Sequence, residues 1–172
     1  MFPAPTELEK YLGDLRPCII CNGNNFEFWA KLDYLEAKKC TDCGMISVNP
    51  HLNEEGLIKV YDDYFSHRLD DKELFEKRKI MYEIDRNSIT KFINHGKILD
   101  VGCSGGQFLS VFDSKDWDRQ GVEIDKNAAQ FAEKEFDIPV KIGYFPDISF
   151  QEKFDLVVIR GVIEHFSDPI AV

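Results

Sequence analysis

No stretch of this 172-residue chain approaches the ~20 consecutive apolar residues that a membrane-spanning helix needs. Its first residues, MFPAPTELEK, have neither a basic n-region nor an apolar h-region. No secretory signal is therefore expected, and the expected location is the cytoplasm. Positive charge is also short, with 21 Lys+Arg against 31 Asp+Glu and a net charge of −10. That balance argues against a nucleic-acid partner gripped mainly through phosphates. The remaining composition, 44% hydrophobic and 30% charged, is that of a soluble globular protein of one domain or two small ones.

A dinucleotide fingerprint is missing as well. Counting G-x-G-x-x-G from Gly102 puts Ser104 at the second glycine and Gln107 at the third. What stands there is KILDVGCSGG, residues 97–106. Ile98, Leu99 and Val101 read as a buried parallel strand, with Asp100 near its end. The chain then turns through Gly102, Cys103, Ser104, Gly105 and Gly106, and a helix is expected from Gln107. Cys103 reads as a small packing residue whose backbone lies near a ligand, not as a nucleophile. A second strand follows and ends in Glu123, 23 residues beyond Asp100. This is close to the ~20-residue offset at which an acid meets a ribose in nucleotide-binding βαβ units. An acid beside a glycine turn suits a ligand with a positive charge there, such as an amino-acid ammonium.

Residues 16–50 carry another pattern, Cys18-x-x-Cys21 and Cys40-x-x-Cys43. Four thiolates at this spacing form a closed, tetrahedral Zn²⁺ site, structural because no coordination position stays open. Gly23 and Gly44 are expected to supply the positive φ of each knuckle. Two disulfides or free buried thiols are the rival readings, with disulfides disfavoured in a reducing compartment. Residues 26–29 and 32–36 alternate as two ribbon strands, and 45–50 as a short strand and turn. Asn53 is a helix N-cap, and a longer helix is expected over 70–94. Leu74, Met81, Ile84, Ser88 and Phe92 would form its packed face, with Ile80 and Ile89 beside it and Gly96 as its stop. Further strands are expected at 139–142 and 154–159, with a helix over 126–136 between the second strand and the third.

ILDVGCSGGQFL resembles the first motif of class I S-adenosylmethionine-dependent methyltransferases. GVEID resembles their second-strand acidic motif, and residues 153–169 their fourth strand and following loop. The whole layout is similar to methyltransferases with an N-terminal zinc ribbon. The resemblance implies an α/β, Rossmann-like, doubly wound parallel sheet over 97–172, a zinc-ribbon module over 1–50 and a helical linker or lid over 51–96. It implies S-adenosylmethionine and structural Zn²⁺ as cofactors, and a small-molecule or sugar-nucleotide acceptor. Asp100 would meet the ammonium and Glu123 the ribose, with Gly102, Cys103, Ser104, Gly105, Ile124, Phe145, Arg160 and Tyr64 completing the cofactor site. Glu164 and His165 are the acid/base candidates. Gly161 replaces the first acid of an E-x-x-E-H pattern, which argues against a metal at that loop. Tyr144 stands where relatives carry an adenine-binding acid.

The family sheet usually has about three more strands, so the chain is expected to be truncated, with sheet edges open to self-association. Two alternatives stay open: a non-enzymatic ribbon module with a residual nucleotide fold, and an NAD-dependent oxidoreductase.

Overall fold

The computed structural model describes residues 5–62, 72–166 and 168–172. It divides into two units, Met1–Tyr64 with Phe166–Val172, and Phe65–His165. No helix among the described residues is long and apolar enough to cross a membrane.

In the first unit, a short helix, α1 (Pro5–Leu8), precedes a three-stranded antiparallel ribbon of β1 (Phe26–Leu32), β2 (Leu35–Cys40) and β3 (Ile46–Val48). The first strand runs further than its sequence suggests, because the turn falls at Asp33-Tyr34, between the paired Leu32 and Leu35. Asp33 takes φ 52°, a left-handed conformation that Asp tolerates better than most residues. Residues 32–34 are thus strand end and turn, not the start of a second strand. Residues 46–48 pair back onto β2 and complete the ribbon.

Among the described residues of this unit the buried ones are few: Leu8, Cys18, Cys40, Asn49, Leu52, Gly56 and Phe166. Asn49 joins distant segments by accepting from the Arg16 amide and donating to the Arg16 carbonyl. Helix α2 (Glu54–Asp62) starts as expected, with Asn53 Oδ1 accepting from the Gly56 amide at 2.9 Å.

In the second unit, α3 (Lys72–Ile89) precedes four parallel strands. These are β4 (Gly96–Val101), β5 (Trp117–Glu123), β6 (Val140–Ile142) and β7 (Leu156–Ile159), in the order β6-β5-β4-β7. The chain leaves β4 toward β5 on one side and later returns to β7 on the other. The carboxyl ends of β4 and β7 therefore flank a topological switch point, where open α/β sheets bind ligands. Helix α4 (Lys126–Phe136) matches its sequence signals, with Asp125 as N-cap and Asp137 as left-handed C-cap.

Three expectations fail here. Helix α3 ends at Ile89, and Gly96 opens β4 instead of stopping the helix. Its packed face is Phe75, Tyr82 and Ile89, while Met81 and Ile84 are exposed, as is Phe92 beyond its end. The stripe of aliphatic residues was the wrong guide, because aromatic packing decides the orientation. Tyr82, Phe108, Phe112 and Trp117 form an edge-to-face chain with centroids 5.3–5.7 Å apart. Each such contact contributes about 0.5–1.5 kcal/mol beyond area burial.

After the glycines there is also no α-helix, only a 3₁₀ turn at Leu109–Val111. Phe108, Leu109, Val111 and Phe112 are all buried within five residues, a density that a one-faced helix cannot satisfy. β7 lies at the edge of the described sheet, and its Val157 is 50% exposed.

Candidate functional site: an acid-flanked glycine turn and a four-cysteine cluster

Asp100 pairs laterally with Gly121 of β5 and Val158 of β7, and its side chain is 3% exposed. The next residues leave the sheet abruptly. The Gly102 and Cys103 amides both donate to the Val122 carbonyl, and the Gly106 amide donates to the Cys103 carbonyl. Gly102 has φ +72°, and a Cβ there would lie 2.5 Å from Cγ2 of Val162. The loop after β7 therefore rests directly against the turn, with no room for a side chain between them. Gly102→Ala is expected to cost roughly 1–3 kcal/mol in urea unfolding, from backbone strain plus this collision.

Glu123 ends β5 and is 4% exposed. Its Oε2 accepts from the Ser104 amide at 2.8 Å, and its Oε1 from the Ile124 and Asp125 amides at 2.8 and 2.9 Å. Ser104 takes φ 50° to make this bond. The acid is thus part of the turn's architecture, a role the ribose offset alone does not reveal.

Burial raises the carboxyls of both acids. Asp100 is pushed up to about 8 by loss of water, with Arg160 pulling it down and Glu123 pushing it further up. Glu123 is also raised by burial, although the Asp125, Ser104 and Ile124 amides favour its charge. A raised folded-state pKa means that the folded chain binds more protons than the unfolded one. The contribution of these acids to stability is complete below their unfolded values, 3.8 for Asp100, and is lost as pH rises through about 8. A cation placed between them would reverse that penalty.

Arg160 follows β7. Its Nε donates to Asp85 Oδ2 at 2.9 Å, and its guanidinium lies 5.0 Å from the Tyr82 ring centre and 5.7 Å from that of Phe108. Burial, then the charges of Asp100 and Glu123, pushes the Cys103 thiol far up, so it stays protonated and is a packing group. Its sulfur fills the space against Gly121 where a Cβ would otherwise sit.

Ile124 is exposed beside Glu123, and Phe145 opens a short 3₁₀ turn with its ring 6.4 Å from that of Phe150. Glu164 and His165 stand on an exposed 3₁₀ turn, Ile163–His165, and the His165 amide donates to Val162. Tyr64 lies outside the described residues. Asp85 and Tyr82 were missed by the sequence reading, because the wrong face of α3 was assigned to the interior.

In the first unit the Sγ atoms of Cys18, Cys21, Cys40 and Cys43 lie within 4.8 Å of one another. Cys18–Cys43 and Cys21–Cys40 are each 3.6 Å apart, and all four thiols are free. A disulfide needs ~2.05 Å, whereas a tetrahedron with ~2.3 Å metal–sulfur bonds has edges of roughly 3.8 Å. The donors therefore fit a closed four-sulfur metal site.

Each knuckle is closed by paired bonds, Asn22 N to Cys18 O with Cys18 N to Gly23 O, and Gly44 N to Cys40 O with Cys40 N to Met45 O. The left-handed residues are Asn22 and Gly44, so the expectation for Gly23 fails. A Cβ at Gly23 would meet the Asp42 carboxylate, the end of an exposed side chain that can swing aside. The Cys21 and Ile20 amides pull the Cys18 thiol down to about 7. The Gly23 amide favours a Cys21 thiolate, yet the Cys43 sulfur, loss of water and the sulfurs of Cys40 and Cys18 push that thiol up to about 12. Four crowded sulfurs cannot all ionise by themselves; a divalent cation removes the conflict.

The pattern of the family described as "Methyltransferase domain" matches residues 71–172. The chain belongs to the methyltransferase domain family. An uncharacterized protein of Methanocaldococcus jannaschii, MJ1123, is 32% identical over 96 residues, which are 55% of this chain and 44% of that protein. Crystal structures of the plantazolicin methyltransferase BpumL share the fold. With SAH bound, BpumL is 18% identical to this chain with a TM-score of 0.55, over 67% of this chain and 49% of BpumL. Its complex with SAH and a monoazolic desmethylPZN analog gives 0.54. The chain thus spans about half the length of these relatives. A methyltransferase domain with a Rossmann-like α/β sheet replaces the open choice among nucleotide-binding folds.

Proposed function

We propose that this chain carries the S-adenosylmethionine-binding part of a methyltransferase that acts on a small-molecule or sugar-type acceptor. The single observation that carries the reading is the Glu123 carboxylate seated on the Ser104 amide, with Asp100 buried beside the same turn. An acid already occupies the amide that a diphosphate would seek, so NAD is disfavoured by charge as well as by glycine spacing. A cationic amino-acid end suits the same place. Asp100 holds the ammonium. The free lone pairs of Glu123 accept from ribose hydroxyls, since a carboxylate offers about four acceptor sites and three are used here. The turn backbone at 102–105, Ile124, Phe145 and Arg160 line the cofactor.

When bound, the cofactor supplies a sulfonium methyl group for in-line displacement by an O, N or C nucleophile. The protein's part is positioning and charge placement. Glu164 and His165, exposed on the turn after β7, are the candidates for an acceptor that must lose a proton. The four cysteines hold Zn²⁺ as a structural ion, a role suited to the reducing cytoplasm.

Calorimetric titration with S-adenosylhomocysteine, with NAD as control, tests the reading. Micromolar binding of the former alone is expected; equal or stronger binding of NAD would refute it. The affinity carries a pH signature. Below pH 8 the ammonium must displace the Asp100 proton, so affinity rises with pH by up to roughly tenfold per unit and levels off above about 8. Titrations in two buffers of different ionisation enthalpy should show close to one proton released at pH 7. Zero release would mean that Asp100 does not face the cation.

A further inference from the structure

Asp85 lies on α3, 75 residues before Arg160 and outside every recognisable motif. Yet it holds Nε of Arg160 at 2.9 Å while Tyr82, three residues earlier on the same helix face, lies under the guanidinium together with Phe108. The two side chains are 37% and 42% exposed, so the pair adds little to stability. Its effect is on geometry. An arginine has many rotamers, and here one planar orientation is fixed by a carboxylate at its edge and by aromatic rings.

We propose that Asp85 is a positioning residue of the cofactor site, holding Arg160 so that a cation stays within electrostatic reach of Asp100. The proposal rests on the cofactor reading above. Asp100 pairs with Val158 and Val101 with Ile159, so Arg160 leaves β7 one residue past the strand beside Asp100. Among the described residues, Asp100 feels the charges of Glu123 from β5 and of Arg160, and itself acts on the Cys103 thiol of the turn. Arg160 is the cation of that set and opposes Glu123. Asp85 acts on Asp100 only through it. A loosened Arg160 would leave Asp100 beside Glu123 with its counter-charge averaged over many positions, and ammonium binding would shift to higher pH.

The test is S-adenosylhomocysteine affinity of the full chain from pH 6 to 9. R160Q should weaken binding at pH 7 by roughly two- to fivefold and move the midpoint of the affinity rise upward. D85N should move it in the same direction by a smaller amount, D85E should restore it, and D85N/R160Q should be no worse than R160Q. R160K, which keeps the charge but not the planar fork, should shift the midpoint upward without any change at Asp85. An unmoved midpoint in D85N alongside a shifted R160Q overturns the proposal and leaves the cofactor reading intact. An unmoved midpoint in R160Q also overturns it. A wild-type chain that binds no S-adenosylhomocysteine at any pH defeats the cofactor reading instead.

Discussion

Cys40→Ser should abolish metal binding and melt the ribbon. Cys40 is the most buried of the four ligands, with no accessible surface, and its amide and carbonyl close the second knuckle through Met45 and Gly44. Among its described residues the first unit has too few buried apolar side chains to fold on hydrophobic burial alone. Structural zinc supplies on the order of 10–16 kcal/mol in modules of this kind. A serine hydroxyl at that position neither ionises nor completes a four-sulfur set. The expected result is one zinc per wild-type chain and none tightly held by the variant. Amide protection should disappear over 26–48 while persisting over 96–123. A protected ribbon after exhaustive chelation would show that the fold does not depend on metal.

Glu123→Ala has the second large effect, because two functions fail together. Three amides, of Ser104, Ile124 and Asp125, lose a shared buried acceptor. Unpaired buried donors cost about 1–3 kcal/mol each before water enters. The ribose also loses its partner. We expect a drop of roughly 2–4 kcal/mol in unfolding free energy and loss of S-adenosylhomocysteine binding by a hundredfold or more. Glu123→Gln separates the roles: it keeps the shape but turns one acceptor into a donor facing an amide. Binding by Glu123→Ala at wild-type strength would remove Glu123 from the site.

The parts of this architecture written in local sequence were legible. Asp125 and Asn53 each cap a helix as their spacing requires. The Cys18/Cys21 and Cys40/Cys43 pairs converge as C-x-x-C knuckles must. The placement of Asp100 and Glu123 beside a glycine turn follows from one strand–turn–strand unit. What failed depends on partners distant in sequence. The packed face of α3 is chosen by Phe108 and Phe112, which its own aliphatic periodicity cannot reveal. Residues 107–112 carry helical spacing, but every large apolar residue among them is buried, and a 3₁₀ turn results. Arg160 reads in sequence as a neighbour of the cofactor loop, while its partners Asp85 and Tyr82 come from a helix that no motif marks.

The central claim is that the cofactor sits on the turn at 102–106, between the two acids. The most direct measurement is an amide ¹H–¹⁵N correlation spectrum of the labelled chain, titrated with S-adenosylhomocysteine. The largest shifts should fall on Gly102, Ser104, Gly105 and Ile124, with the ribbon amides at 26–48 unmoved. Saturable shifts confined to other residues, or the same turn responding equally to NAD, would contradict the account.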